Sequence, residues 1–117
     1  MKGPGKKATV AFTPGAADDM GQSTGSQAVT FDLKLYENLG KVWVSGSING
    51  GPVPYNTWVA LYSSPPTNPN DGYLWWPGTY VDASPFDYES DQVQGSGFYG
   101  AIIYNDIVVL TVGPTTG

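Results

Sequence analysis

Apolar and polar residues alternate along much of this chain. Between residues 28 and 36, Phe31, Leu33 and Leu35 recur at every second position, with Asp32, Lys34 and Tyr36 between them. Side chains two apart share one side of an extended chain, so this spacing predicts a β-strand with one buried face. Residues 41–48 repeat it, with Val42, Val44 and Ile48 inward and Trp43, Ser45 and Ser47 outward. Glu37-Asn38-Leu39-Gly40 turns the chain between them, with Gly40 free to take a positive φ, so the two strands form an antiparallel hairpin. Residues 57–63 are apolar on both faces, Trp58, Ala60 and Tyr62 against Val59 and Leu61. That pattern predicts a central strand. Phe98–Tyr104 and Ile107–Val112 flank Asn105-Asp106, a two-residue loop suited to a primed turn. Ala8–Phe12 reads as a first strand, and Tyr73–Trp76 as a short one turned by Pro77-Gly78 and continued over 79–82. Residues 13–27 read as a polar loop, 63–72 as a loop rich in Pro and Asn, and 83–96 as an acidic, turn-rich stretch.

No window carries apolar residues at helical spacing without a Gly or Pro interrupting it. The 16 Gly and 10 Pro punctuate short β-branched and aromatic runs, the pattern of a sandwich or barrel. The expected architecture is all-β: one antiparallel β-sandwich of seven to eight strands over residues 8–117, preceded by a flexible lead at 1–7. Its expected core is Phe31, Leu33, Leu35, Val42, Val44, Val59, Leu61, Ile102, Val108 and Leu110.

The absent residue types narrow the chemistry. The 117 residues contain no Cys and no His, and all five basic residues are Lys: Lys2, Lys6, Lys7, Lys34 and Lys41. Without His there is no Ser-His-Asp triad, no imidazole base and no usual zinc site. Without Cys there is no disulfide or thiolate. From residue 8 onward ten acids face only Lys34 and Lys41, within a formal net charge of −5. A body that acidic should repel nucleic acid and anionic membranes. No stretch approaches the roughly 20 apolar residues that span a bilayer. The charged start, Met1–Lys7, has no apolar run after it, so no signal peptide is expected. Secretion or surface display of a mature form remains compatible with that start.

Three segments together resemble a known module. They are Trp58-Val59-Ala60-Leu61-Tyr62, then Tyr73-Leu74-Trp75 after the Pro/Asn/Asp/Gly loop, then Gly97-Phe98-Tyr99 running into Tyr104-Asn105-Asp106. Over residues 28–113 the chain resembles the immunoglobulin- or fibronectin-like domains that precede the catalytic domain of purple acid phosphatases. Related domains occur in bacterial surface proteins and SKICH-type modules. The resemblance implies an Ig-like sandwich without an active site of its own, serving packing, docking or adhesion. Two features depart from it: no catalytic domain follows in this chain, and Gly100-Ala101-Ile102 is neutral where relatives often carry a charge.

The aromatic residues are the first candidate chemistry. Four Trp and eight Tyr exceed the needs of a core this small, and an exposed Trp commonly marks a contact site. Adjacent strand residues point to opposite faces, so one of Trp75 and Trp76 is core and the other lies outside or under a loop. Sugar rings stack on flat aromatic faces while Asn and Asp bond their hydroxyls. Trp75 or Trp76, Tyr73, Tyr80, Asn70 and Asp71 form the expected carbohydrate site, with segment 105–106 offering similar groups. The alternative is that Trp58 and one tandem Trp fill the core and the Tyr hydroxyls cap strand ends.

Acidic residues are the second candidate. Asp87, Glu89 and Asp91 alternate and would share one face of an extended chain, as ligands for a weakly held calcium ion or as a solvated face that blunts edge pairing. A glycosidase would need two acids across a cleft, for which a small sandwich has little room. The third candidate is the neutral, β-branched stretch Phe98–Val112, which a symmetric homodimer would cover if it formed an edge. The expected function is non-catalytic recognition of carbohydrate by exposed aromatics, in the manner of a lectin or carbohydrate-binding module. The alternative is a protein-interaction or adhesion module with structural aromatics. No cofactor other than the calcium ion is implied.

Overall fold

The computed structural model describes residues 6–12 and 29–116. They form eight strands: β1 (Lys6–Phe12), β2 (Val29–Asn38), β3 (Lys41–Asn49), β4 (Thr57–Tyr62), β5 (Tyr73–Trp75), β6 (Phe86–Val93), β7 (Tyr99–Tyr104) and β8 (Ile107–Val112). Two antiparallel four-stranded sheets pack face to face, sheet 1 in the order β1-β2-β3-β6 and sheet 2 in the order β5-β4-β7-β8. β1 and β2 lie over β8 and β7, and β6 lies over β5. β4 and β7 are the central strands of sheet 2, and β2 and β3 those of sheet 1. β1 extends sheet 1 beyond β2. Among the described residues no helix is long and apolar enough to cross a membrane.

The alternation builds the core as expected. Phe31, Leu33 and Leu35 of β2, Val42, Val44 and Ile48 of β3, Val59 and Leu61 of β4 and Ile102 of β7 are buried together between the sheets. Val108 and Leu110 are only half-buried. They lie on β8, an edge strand with a neighbour on one side alone, and a bulge between its pairs Ile102↔Leu110 and Ile103↔Val108 shifts Val109 out of register.

Two hairpin turns have positive φ at both central residues, Leu39 (55°) with Gly40 (78°) and Asn105 (51°) with Asp106 (65°). These are primed turns, whose twist matches the flanking strands. The second is the one the sequence predicts. The first is tighter than the sequence predicts, because Glu37 and Asn38 still belong to β2 and pair with Val42 and Lys41. The first strand also begins two residues before the predicted start, so Lys6 and Lys7 belong to β1 and not to a flexible lead. The predicted loop at 13–27 lies outside the described residues.

The stretch 83–96 departs furthest from expectation, since its centre is the strand β6. Phe86 and Ser90 are buried and Asp87, Glu89 and Asp91 exposed. Ser90 has no apolar side chain, but its hydroxyl donates to the Val42 carbonyl (2.6 Å) and accepts from the Gln92 amide (3.0 Å) at a bulge in the β3–β6 ladder. A polar inward position, satisfied by backbone groups, hides the strand from a hydrophobicity reading. Residues 79–82, read as a continued strand, carry no strand after β5.

Candidate functional site

Sheet 2 has a second apolar cluster on its outer face, made of Trp58, Ala60 and Tyr62 of β4 and Ala101 and Ile103 of β7, with Trp76, Tyr99 and Val108 packed against it. The two apolar faces of β4 therefore serve two different surfaces. Val59 and Leu61 face the inter-sheet core, while Trp58, Ala60 and Tyr62 face outward.

The tandem tryptophans divide between these faces as alternation requires: Trp75 packs on the inter-sheet core and Trp76 on the outer cluster. A bulge adds what alternation alone would forbid. Leu61 faces Trp75 and Tyr62 faces Tyr73, which leaves Leu74 as an extra residue on β5. One inserted residue reverses the phase of a strand. Tyr73 thereby reaches the outer side together with Trp76. The Trp58 ring meets Trp76 edge to face at 5.5 Å and Tyr73 at 6.3 Å.

These rings line a cavity of about 150 Å³ with Asn70, Tyr80 and Asp106. Each remaining wall has its own anchor. The Tyr62 hydroxyl donates to the Pro69 carbonyl at 2.6 Å, holding the 63–72 loop over the sheet. Asn68 then caps the backbone N–H of Asn70 at 3.0 Å. The Val81 amide donates to the Thr57 carbonyl at 2.7 Å, which brings Tyr80 alongside the end of β4. The Asn105 amide donates to the Asn56 carbonyl at 3.2 Å and fixes the β7–β8 turn that carries Asp106. Across the cavity rim, Asn70 Nδ2 donates to Asp106 Oδ1 at 3.2 Å.

The polar groups of the rim are only partly used. An amide side chain has one acceptor and two donors, and a carboxylate has two acceptor oxygens. Here Asn70 and Asp106 bond each other through one atom apiece. Burial pushes the Tyr62 phenol well above its ordinary range, with nearby Tyr73 adding to the rise, so Tyr62 stays a neutral donor to Pro69 at any ordinary pH. The cavity is small beside the roughly 300 Å³ at which small-molecule clefts begin. It sets an aromatic wall beside the Asn70–Asp106 pair.

Of the six residues expected from sequence, Tyr73, Trp76, Tyr80 and Asn70 meet in this cavity. Trp75 does not, because it faces the core. Asp71 lines a neighbouring groove with Tyr62 and the Pro65-Pro66 segment. Trp58, absent from the expected set, and Asp106, from the segment 105–106 that offers similar groups, complete the site. Trp58, expected in the core only under the alternative reading, is 7% exposed, and its ring lines the cavity.

The alternating acids of β6 form an exposed face. Asp87, Glu89 and Asp91 share the outer face of β6, but same-face residues along a strand stand roughly 7 Å apart. Calcium takes six to eight oxygens at about 2.3–2.6 Å. Among the described residues no three acidic side chains come close enough to hold a metal ion. Asp87 instead accepts the Tyr36 hydroxyl at 2.8 Å. On the outer face of sheet 1, Tyr36 stacks on Trp43 with centroids 5.9 Å apart. The Trp43 indole donates to the Asn38 carbonyl at 2.9 Å, and Lys34 Nζ lies 4.9 Å from the Tyr36 ring.

The chain matches no protein-family model, no curated protein and no solved structure.

Proposed function

We propose that this domain is a non-catalytic carbohydrate-binding module whose site is the cavity between Trp58, Tyr73, Trp76 and Tyr80. The observation that carries the reading is the placement of three partly exposed aromatic rings against one hydrogen-bonding pair, Asn70 and Asp106, at a shallow cavity. A sugar presents just these two surfaces, a C–H face for the rings and hydroxyls for the amide and carboxylate. One carboxylate, Asp106, lines the cavity, whereas a glycosidase mechanism uses two flanking the bond to be cut.

Charge selects among sugars. The four lysines of the described residues, Lys6, Lys7, Lys34 and Lys41, all belong to strands of sheet 1, and the cavity opens on sheet 2. An acidic sugar would meet the Asp106 carboxylate with no lysine among the described residues on the strands of that sheet to offset it. The ligand is therefore an uncharged saccharide.

Calorimetric titration with a panel of neutral and uronic monosaccharides and short oligosaccharides tests this. Saturable binding is expected for a neutral member, with at least a tenfold loss in Trp76→Ala, Tyr80→Ala and Asn70→Ala that retain a cooperative melt. A tenfold loss corresponds to about 1.4 kcal/mol. If no member of the panel binds, the exposed Tyr55, Tyr73, Leu74 and Tyr80 belong to the alternative reading, a protein-docking surface of the kind the Ig-like resemblance implies.

A further inference from the structure

The cavity does not end at Tyr80. A second groove of about 360 Å³, lined by Val53, Pro54, Tyr55, Asn56, Thr79, Tyr80, Val81 and Asp82, begins on the same residue. Tyr80 is a wall of both. Its ring meets Tyr55 edge to face at 5.8 Å, and Tyr55 is 78% exposed. That one edge contact covers little of so large a ring.

We infer that the ligand is an uncharged oligosaccharide of two or more units, one held in the Trp58–Trp76 cavity and the next across Tyr80 on Tyr55. This rests on the carbohydrate reading above and specifies its ligand. Three observations favour a chain over a single sugar. The first cavity alone falls below the usual volume of a small-molecule site, while the adjoining groove exceeds it. The second groove repeats the composition of the first, aromatic rings beside an Asn and an Asp: Tyr55 and Tyr80 with Asn56 and Asp82. The two are also held in fixed relation, because the Val81–Thr57 and Asn105–Asn56 backbone bonds tie the 79–82 segment, the 53–56 segment and the Asp106 turn to the end of β4. A preorganised pair of subsites adds contacts for a chain without adding a loop to order. Asp82 extends the negative rim, so the second unit is uncharged for the same reason as the first.

The test is a chain-length series. Affinities of the intact protein are measured for homo-oligomers of one to four units of glucose, mannose and N-acetylglucosamine. Tyr55→Ala and Thr79→Ala are measured beside the wild type, with thermal melts to verify folding. The expected result is a gain of tenfold or more from one unit to two or three in at least one series. Tyr55→Ala should abolish that gain and leave monosaccharide affinity within twofold, and Thr79→Ala should reduce it. Equal affinities for one unit and for the longer chains, unchanged by Tyr55→Ala, would overturn the second subsite and leave the sugar cavity standing. A chain-length gain that both variants retain would also overturn it. No binding by any member would remove the carbohydrate reading and the second subsite with it.

Discussion

Leu39 stands at φ 55° in the β2–β3 turn with 74% of its surface exposed. A non-glycine side chain in the left-handed region carries a cost of about 1 kcal/mol or more, and so exposed a side chain has little burial to offset it. Asn tolerates that region and, before Gly40, completes the preferred primed turn. Leu39→Asn is expected to raise the unfolding free energy by about 0.5–1 kcal/mol, read as a higher denaturant midpoint at unchanged slope. Gly100 has the opposite constraint. A Cβ there would meet Leu35 Cδ2 at 2.6 Å in the inter-sheet core. Gly100→Ala is expected to lower stability by about 1–3 kcal/mol, the usual range for overpacking, by the same measurement. Gly40 and the Asn105-Asp106 turn were legible in the sequence because their φ demands are local. Leu39 was not, because its conformation is imposed by the pairing of Asn38 with Lys41 on either side of it.

The strands read most clearly are those with one apolar stripe or two. β2 and β3 alternate, and β4 is apolar on both faces and lies between β5 and β7. β6 escaped because its buried Ser90 is satisfied by the Val42 carbonyl and the Gln92 amide, information held by the bulge and not by residue type. The same limit applied at β5. Alternation separated Trp75 from Trp76, but the bulge at Leu74 that turns Tyr73 toward Trp76 arises only from pairing with β4. Segment 105–106 offered suitable groups, but the approach of Asp106 to Asn70 arises only from the tertiary placement of the β7–β8 turn beside the 63–72 loop. Position in the site also depends on the loop between β4 and β5. Tyr62→Phe removes the buried bond to Pro69 and is expected to cost about 1–2 kcal/mol, since the carbonyl loses its partner. It should weaken sugar binding as well, because Asn70 rides on that loop. Denaturation and calorimetric titration of the one variant check both effects.

At the scale of the molecule, sheet 1 carries the lysines of the described residues and the Tyr36–Trp43 stack, while sheet 2 carries the aromatic cavity. The fold also has a defined alkaline limit. Burial, together with the Asp87 carboxylate that accepts its hydroxyl, pushes Tyr36 up to about 12. Tyr62 and Tyr88 are raised as well, each chiefly by burial. The fold thus favours the neutral phenols over the unfolded chain, whose tyrosines ionise near pH 10. The stability these groups contribute is complete below about pH 10 and is lost as pH rises through their folded values. Melting temperature is expected to fall steeply between about pH 10 and 12, and Tyr36→Phe should shallow that fall. A melting temperature unchanged to pH 12 would contradict it.

The central claim is the place of the sugar, and the four indole N–H signals of the protein in a proton–nitrogen correlation spectrum report it directly. Trp58 and Trp76 line the cavity, Trp75 faces the core, and Trp43 lies on the opposite sheet. During titration with the tightest-binding neutral saccharide, the signals of Trp76 and Trp58 should move saturably while those of Trp43 and Trp75 stay fixed. Movement of Trp43 with Trp76 and Trp58 unmoved would place any ligand on the wrong sheet and contradict the account.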